Sequence, residues 1–75
     1  MDKNVFLAVF AESFDDTDPK TIKFETKFRD LDEWSSLTGM TILAMAKVNY
    51  DKIISSEELK KCVTVEDVYN LIISK

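Results

Sequence analysis

The sequence predicts an all-α domain of four helices, with a long loop between the first and the second. Three observations predict it. Apolar residues recur at helical spacing in three separate segments. Serine or threonine stands directly before the second, third and fourth of the expected helices, where its hydroxyl can accept from a free backbone N–H of the first turn. The one segment that alternates like a strand has no second alternating segment to pair with.

The first helix is expected over residues 2–14, with Asp2 as its cap and Phe6, Val9, Phe10 and Phe14 forming a core-facing stripe. Asp15-Asp16-Thr17-Asp18-Pro19 ends it, because proline disfavours helical geometry in the residue before it. Residues 15–35 then form a connector. Ile22, Phe24, Thr26 and Phe28 alternate within it, but a lone strand would leave its backbone unpaired. An extended loop anchored by Phe24, Phe28 and Leu31 is therefore expected, although structureless loops of this length are uncommon in compact domains.

The second helix is expected over 36–49, and either Ser35 or Ser36 can cap it. Its apolar surface is broader than one buried stripe. Leu37, Met40, Ala44 and Val48 follow one line; Ile42, Leu43, Ala46 and Tyr50 follow another. A small domain buries one side well, and the other is a candidate docking patch. Ser55 and Glu58 stand at capping-box spacing, so a short third helix covers 56–61. Thr64-Val65-Glu66-Asp67 resembles a second box and opens the last helix, with Val65, Val68, Leu71 and Ile72 inward. Cys62 and Val63, between the two, read as core. Trp34 reads as a core aromatic closing the loop over the helices, with the edge of a partner surface as the alternative. Gly39, the chain's one glycine, reads either as a tolerated residue at an exposed helical position or as a point of close approach.

With 75 residues, 45% of them hydrophobic, the chain supports one small core and a single domain spanning 1–75, with little left for a deep enclosed active site. The formal charge is −4, and the cations are scattered, which disfavours nucleic acid as a partner because such binding needs a basic face. Acidic residues gather at Glu12, Asp15, Asp16 and Asp18, and again at Asp30, Asp32 and Glu33 just before the serines. These groups are read either as a solubilising surface or as a field that steers basic partners. The single cysteine cannot form an internal disulfide, which fits a reducing cytoplasm. No apolar run approaches the ~20 residues that cross a membrane, and the start of the chain lacks a signal-peptide pattern. A cytoplasmic monomer is expected.

Much chemistry is excluded by residue type. Without histidine there is no Ser-His or Cys-His nucleophile, and most zinc sites are ruled out. Residues 16–20 open like a calcium loop but fail as one: Lys20 falls at a ligand position, and Lys27 stands where the bidentate glutamate belongs. Lys47 and Lys52 lie several helical turns from the serines, too far for a serine–lysine dyad. A catalytic role is not expected.

The order Ser36-Leu37, then Met40, Ile42 and Leu43 on a helix, then Tyr50, resembles the acyl carrier protein family. The likeness runs almost end to end. It takes in the apolar first helix, the connector with Phe28 and Leu31, Ser56-Glu57-Glu58-Leu59, and Thr64 to Val68 opening the last helix. Trp34 matches the Trp-Asp-Ser-Leu variant of the family's attachment motif, and Ser35 replaces its aspartate.

The resemblance implies a four-helix carrier bundle with 4′-phosphopantetheine attached covalently to Ser36. An acyl or aminoacyl thioester held on that arm would be delivered to partner enzymes in fatty-acid, polyketide or related specialised biosynthesis. The implied partners are a phosphopantetheinyl transferase and acyl ligases or acyltransferases. Leu37, Met40 and Ala44 would meet them by apolar burial, with Asp30, Asp32 and Glu33 steering. The length suggests a discrete carrier rather than a module of a large synthase. The competing reading is an interaction module of the same fold that carries no prosthetic group.

Overall fold

The computed structural model describes residues 2–75. Four helices follow in chain order: α1 (Lys3–Ala11), α2 (Ser36–Tyr50), α3 (Ser56–Lys60) and α4 (Val65–Ile73), with no strand among the described residues. Two short 3-10 turns, Pro19–Thr21 and Phe28–Asp30, interrupt the connector between α1 and α2.

Asp2 caps α1 as expected, accepting from the Asn4 and Val5 amides. The helix ends at Ala11, three residues short of the sequence expectation. The Ser13 and Phe14 amides reach back three residues, to the carbonyls of Phe10 and Ala11, so the chain tightens before the acidic run. Phe14 still enters the core and packs on Phe10 at 5.8 Å between ring centroids. The rings of Phe6, Phe10, Phe14 and Phe28 are fully buried, with Ile42, Val65, Val68 and Ile72 closing around them. Tyr69 also belongs to this core, meeting Phe6 edge-on at 5.3 Å, and the helical pattern had not singled it out.

The connector keeps the alternation seen in its sequence without becoming a strand. Ile22 and Phe28 are buried, Phe24 and Thr26 half-buried, and Lys23, Glu25 and Lys27 exposed. Ile22 is thus a deeper anchor than Phe24 or Leu31. The partner missing from the sequence pattern is the start of α4. The Val65 amide donates to the Thr26 carbonyl at 3.1 Å, and the Glu66 amide to the Phe24 carbonyl at 3.0 Å. A helix leaves its first amides without intrahelical acceptors. Here the loop supplies two, and the Thr64 hydroxyl takes the Asp67 amide. The other end of the connector is tied by Glu33, whose carboxylate accepts from the Thr17 hydroxyl (2.7 Å) and the Asp16 amide (3.0 Å).

Both predicted capping boxes form, at Ser55/Glu58 and at Thr64/Asp67. Of the two residues between α3 and α4 read as core, Cys62 is buried but Val63 is 49% exposed. The segment turns over between them, and Val63 contributes its amide to the Asp67 carboxylate rather than its side chain to the interior. Burial, with the nearby negative charges of Asp67 and Glu58, pushes the Cys62 thiol above its ordinary pKa, against a smaller opposing effect of Arg29. Native protein should therefore react slowly with a thiol reagent at neutral pH, and denatured protein quickly. Rapid labelling of the folded chain would show that the α3–α4 junction opens readily.

Candidate functional site

The site is organised by the start of α2. Ser35 has extended backbone geometry, and its hydroxyl accepts from the Thr38 amide at 3.3 Å, so Ser35 is the N-cap and Ser36 the first helical residue. Thr38 reinforces the entry, donating its hydroxyl to the Glu33 carbonyl at 3.2 Å. Ser36 is left exposed, and among the described residues its hydroxyl and the Ser36 and Leu37 amides find no partner. One serine is therefore committed to holding the helix. The other stands beside two open N–H groups at the positive end of a 15-residue helix, a setting that suits a phosphate ester.

A cleft of about 360 Å³ opens next to Ser36, between α2 and α3. Trp34, Met40, Leu43 and Leu59 give it apolar walls, while Ser56, Lys60 and Arg29 contribute polar groups. Gly39 lies at its base and is buried, not exposed. A Cβ at Gly39 would stand only 3.2 Å from the tip of the Trp34 ring, so the glycine makes room for the indole. Trp34 in turn packs edge-on against Phe28, with 5.4 Å between ring centroids. Trp34 thus closes the loop onto the core, the first of its two readings, and also walls the cleft.

Arg29 was not singled out by sequence, and its role spans the fold. Its guanidinium donates to the carbonyls of Leu59 and Cys62, at the end of α3, and lies over the rings of Phe28 (5.0 Å) and Trp34 (5.9 Å). This one side chain thus fixes α3 against the loop, and no local pattern near residue 29 announces a contact with residues 59 and 62. Lys60 was missed for the same reason, since only the packing of α3 brings it to the cleft.

The residues predicted to meet partners are distributed unevenly. Leu37, Met40 and Val48 are 74%, 64% and 81% exposed, and Ala44 is exposed between them. The other line, Ile42, Leu43, Ala46 and Tyr50, turns inward. The apolar stripe thus begins at the cleft with Met40 and continues to a shallow groove against α1, where Ala44 and Val48 lie with Val9 and Met45. No acidic residue occurs within α2. Asp30 and Asp32 are exposed before it, and they do not line the cleft. Glu33 is engaged with Thr17 and Asp16, which hold its carboxyl below the ordinary carboxylate range.

Neither lysine considered for a serine dyad is free. Lys47 pairs with Asp51 at 2.7 Å, and Lys52 donates to the Lys75 carbonyl at 2.7 Å. No helix among the described residues is long and apolar enough to cross a membrane.

No family model, curated protein or solved structure matches this chain. The functional reading therefore rests on its own residues and their arrangement.

Proposed function

We propose that this chain is an acyl carrier protein, with the carrier-type four-helix arrangement, that holds an acyl or aminoacyl thioester on 4′-phosphopantetheine at Ser36. The observation that carries the reading is the division of labour between the serines: Ser35 caps α2, while Ser36 presents a free hydroxyl beside open amides and an apolar cleft. The arm supplies the thiol that carries the cargo. The chain's own residues provide the attachment point, an anion-compatible helix end and an exposed face for visiting enzymes.

Attachment is a phosphoryl substitution. The Ser36 oxygen would bond to the pantetheine-side phosphorus of coenzyme A as the pyrophosphate P–O bond breaks and adenosine 3′,5′-bisphosphate leaves. A base on the transferase would take the serine proton. Incubation of the protein with a permissive phosphopantetheinyl transferase and coenzyme A should add one phosphopantetheinyl group to its intact mass. A chain that no transferase modifies would overturn this reading in favour of an unmodified interaction module, the reading that Ser35 in place of the family aspartate favours.

Partner recognition follows from the exposed stripe. Leu37, Met40 and Ala44 would dock partners in cytoplasmic fatty-acid, polyketide or related pathways by apolar burial, with Asp30, Asp32 and Glu33 acting at longer range. Met40→Glu is expected to leave the helical content unchanged, because the side chain is exposed, and to weaken turnover with a cognate partner about tenfold or more. Turnover that ignores Met40→Glu yet collapses with added salt would assign recognition to the acidic residues alone.

A further inference from the structure

Leu37, Thr41, Ala44 and Val48 form one line along the outer face of α2, at the spacing of a helix that packs against another helix. All four are exposed. Two polar groups on this face are already engaged within it. The Thr41 hydroxyl donates to the Leu37 carbonyl at 3.0 Å, and the Asn49 side-chain amide donates to the Met45 carbonyl at 3.2 Å. Covering the Thr41 hydroxyl therefore costs little, because it keeps its acceptor. The first helix extends the face on one side. Val9 lines the shallow groove with Ala44 and Val48, and Val5, one turn earlier on α1, is 55% exposed. Among the described residues, Glu12 is the only charged one lining that groove, in a chain whose residues are 32% charged. Two chains of net charge −4 repel least where they meet on such a face.

In place of the monomer expected from the sequence, we propose that this face is the interface of a weak antiparallel homodimer, with α2 of one copy laid along α2 of the second. The occupant is a second copy because the line is its own complement when reversed. Leu37 then faces Val48 of the second copy, and Thr41 faces Ala44. Large side chains meet at both ends, and small ones let the backbones approach in the middle. The ends also match in charge. Asp30 and Asp32 stand exposed just before α2, while Lys47 and Lys52 lie near its end with Asp51. Reversal sets the acidic start of each α2 against the more basic end of the other. One α2 long and two helices wide, the face measures roughly 22 Å by 20 Å. About 450 Å² from each copy is the size of a transient interface, so association falls at roughly tens to hundreds of micromolar. The proposal stands on this surface and not on the carrier reading. Where both hold, the second copy covers Leu37 and Ala44, and a visiting enzyme has to displace it.

Sedimentation equilibrium of the unmodified full chain, from about 5 µM to about 1 mM, brackets such an association. The mass should rise from 8.6 kDa toward twice that value. Ala44→Glu puts a charge at the middle of the line on an exposed helical position. It should weaken association about tenfold or more, with an unchanged circular dichroism spectrum. Ile73→Glu, at an exposed position of α4 outside the face, should leave association as it is. A short bis-maleimide tests the orientation. It should link Leu37→Cys chains to Val48→Cys chains in a mixture, and neither variant to itself, because reversal holds the two Leu37 positions of a pair about 16 Å apart. The buried Cys62 gives little background, which the wild-type chain measures. A mass that stays at 8.6 kDa throughout would overturn the proposal and leave the face to a different protein. Self-linking of each cysteine variant alone would overturn it in favour of parallel pairing. Association that survives Ala44→Glu but is lost in Ile73→Glu would overturn it by placing the interface on α4.

Discussion

Ser36→Ala is expected to abolish phosphopantetheinylation completely, while Ser35→Ala still accepts one phosphopantetheinyl group. The asymmetry follows from the helix start. Ser36 occupies the first helical position, so removing its hydroxyl takes away no hydrogen bond in the fold and should leave helicity unchanged. Ser35 carries the cap, and Ser35→Ala should lower stability by about 1 kcal/mol while leaving the Ser36 hydroxyl in place. Ser35→Asp keeps a good capping side chain and gives the Asp-Ser-Leu order of the carrier family that the sequence resembles, and should speed modification. Intact mass of the four proteins after transferase treatment, with circular dichroism as the control for folding, decides the matter. Modification that survives in Ser36→Ala would move the attachment point elsewhere.

The second large effect concerns the ring that joins core to cleft. Phe28 is fully buried, meeting Phe10 edge-on at 5.7 Å and Trp34 at 5.4 Å. Phe28→Ala is expected to cost about 3–5 kcal/mol, the usual range for emptying a buried aromatic site. A single core of this size rarely supplies more than about that. The variant should therefore lose its cooperative thermal transition, and Trp34 emission should move toward that of a solvated indole. Phe28→Leu keeps part of the volume and should retain a transition at lower temperature. A Phe28→Ala protein that melts near the wild-type midpoint would mean that the loop contributes little to the core.

What the sequence made legible was local. The caps at Asp2, Ser55 and Thr64 each involve residues within one helical turn, and residue type and spacing suffice to place them. The two apolar lines of the second helix were equally legible, but which one turns outward depends on where α1 and α3 pack. Contacts between distant segments left no local trace. The loop carbonyls of Phe24 and Thr26 meet α4, Arg29 meets the end of α3, and Gly39 is buried by an indole that precedes the helix. Val63 and Cys62 share an apolar stretch, and a turn between them separates their fates. At the candidate site, Ser36 and the stripe were legible, whereas Arg29 and Lys60 emerged only once α3 was docked.

The amides of Val65 and Glu66 also give the loop a clock of its own. Their acceptors are loop carbonyls rather than helical ones, so their exchange with solvent deuterium requires the loop to lift away from α4. Amides deeper in α4 exchange only when the helix itself opens. The difference between the two exchange rates therefore measures loop detachment directly, without any substitution. Because the same loop continues through Phe28 and Arg29 to Trp34, any tightening of the Val65 and Glu66 signals on loading Ser36 would show that the wall of the cleft is fastened from the far side of the molecule.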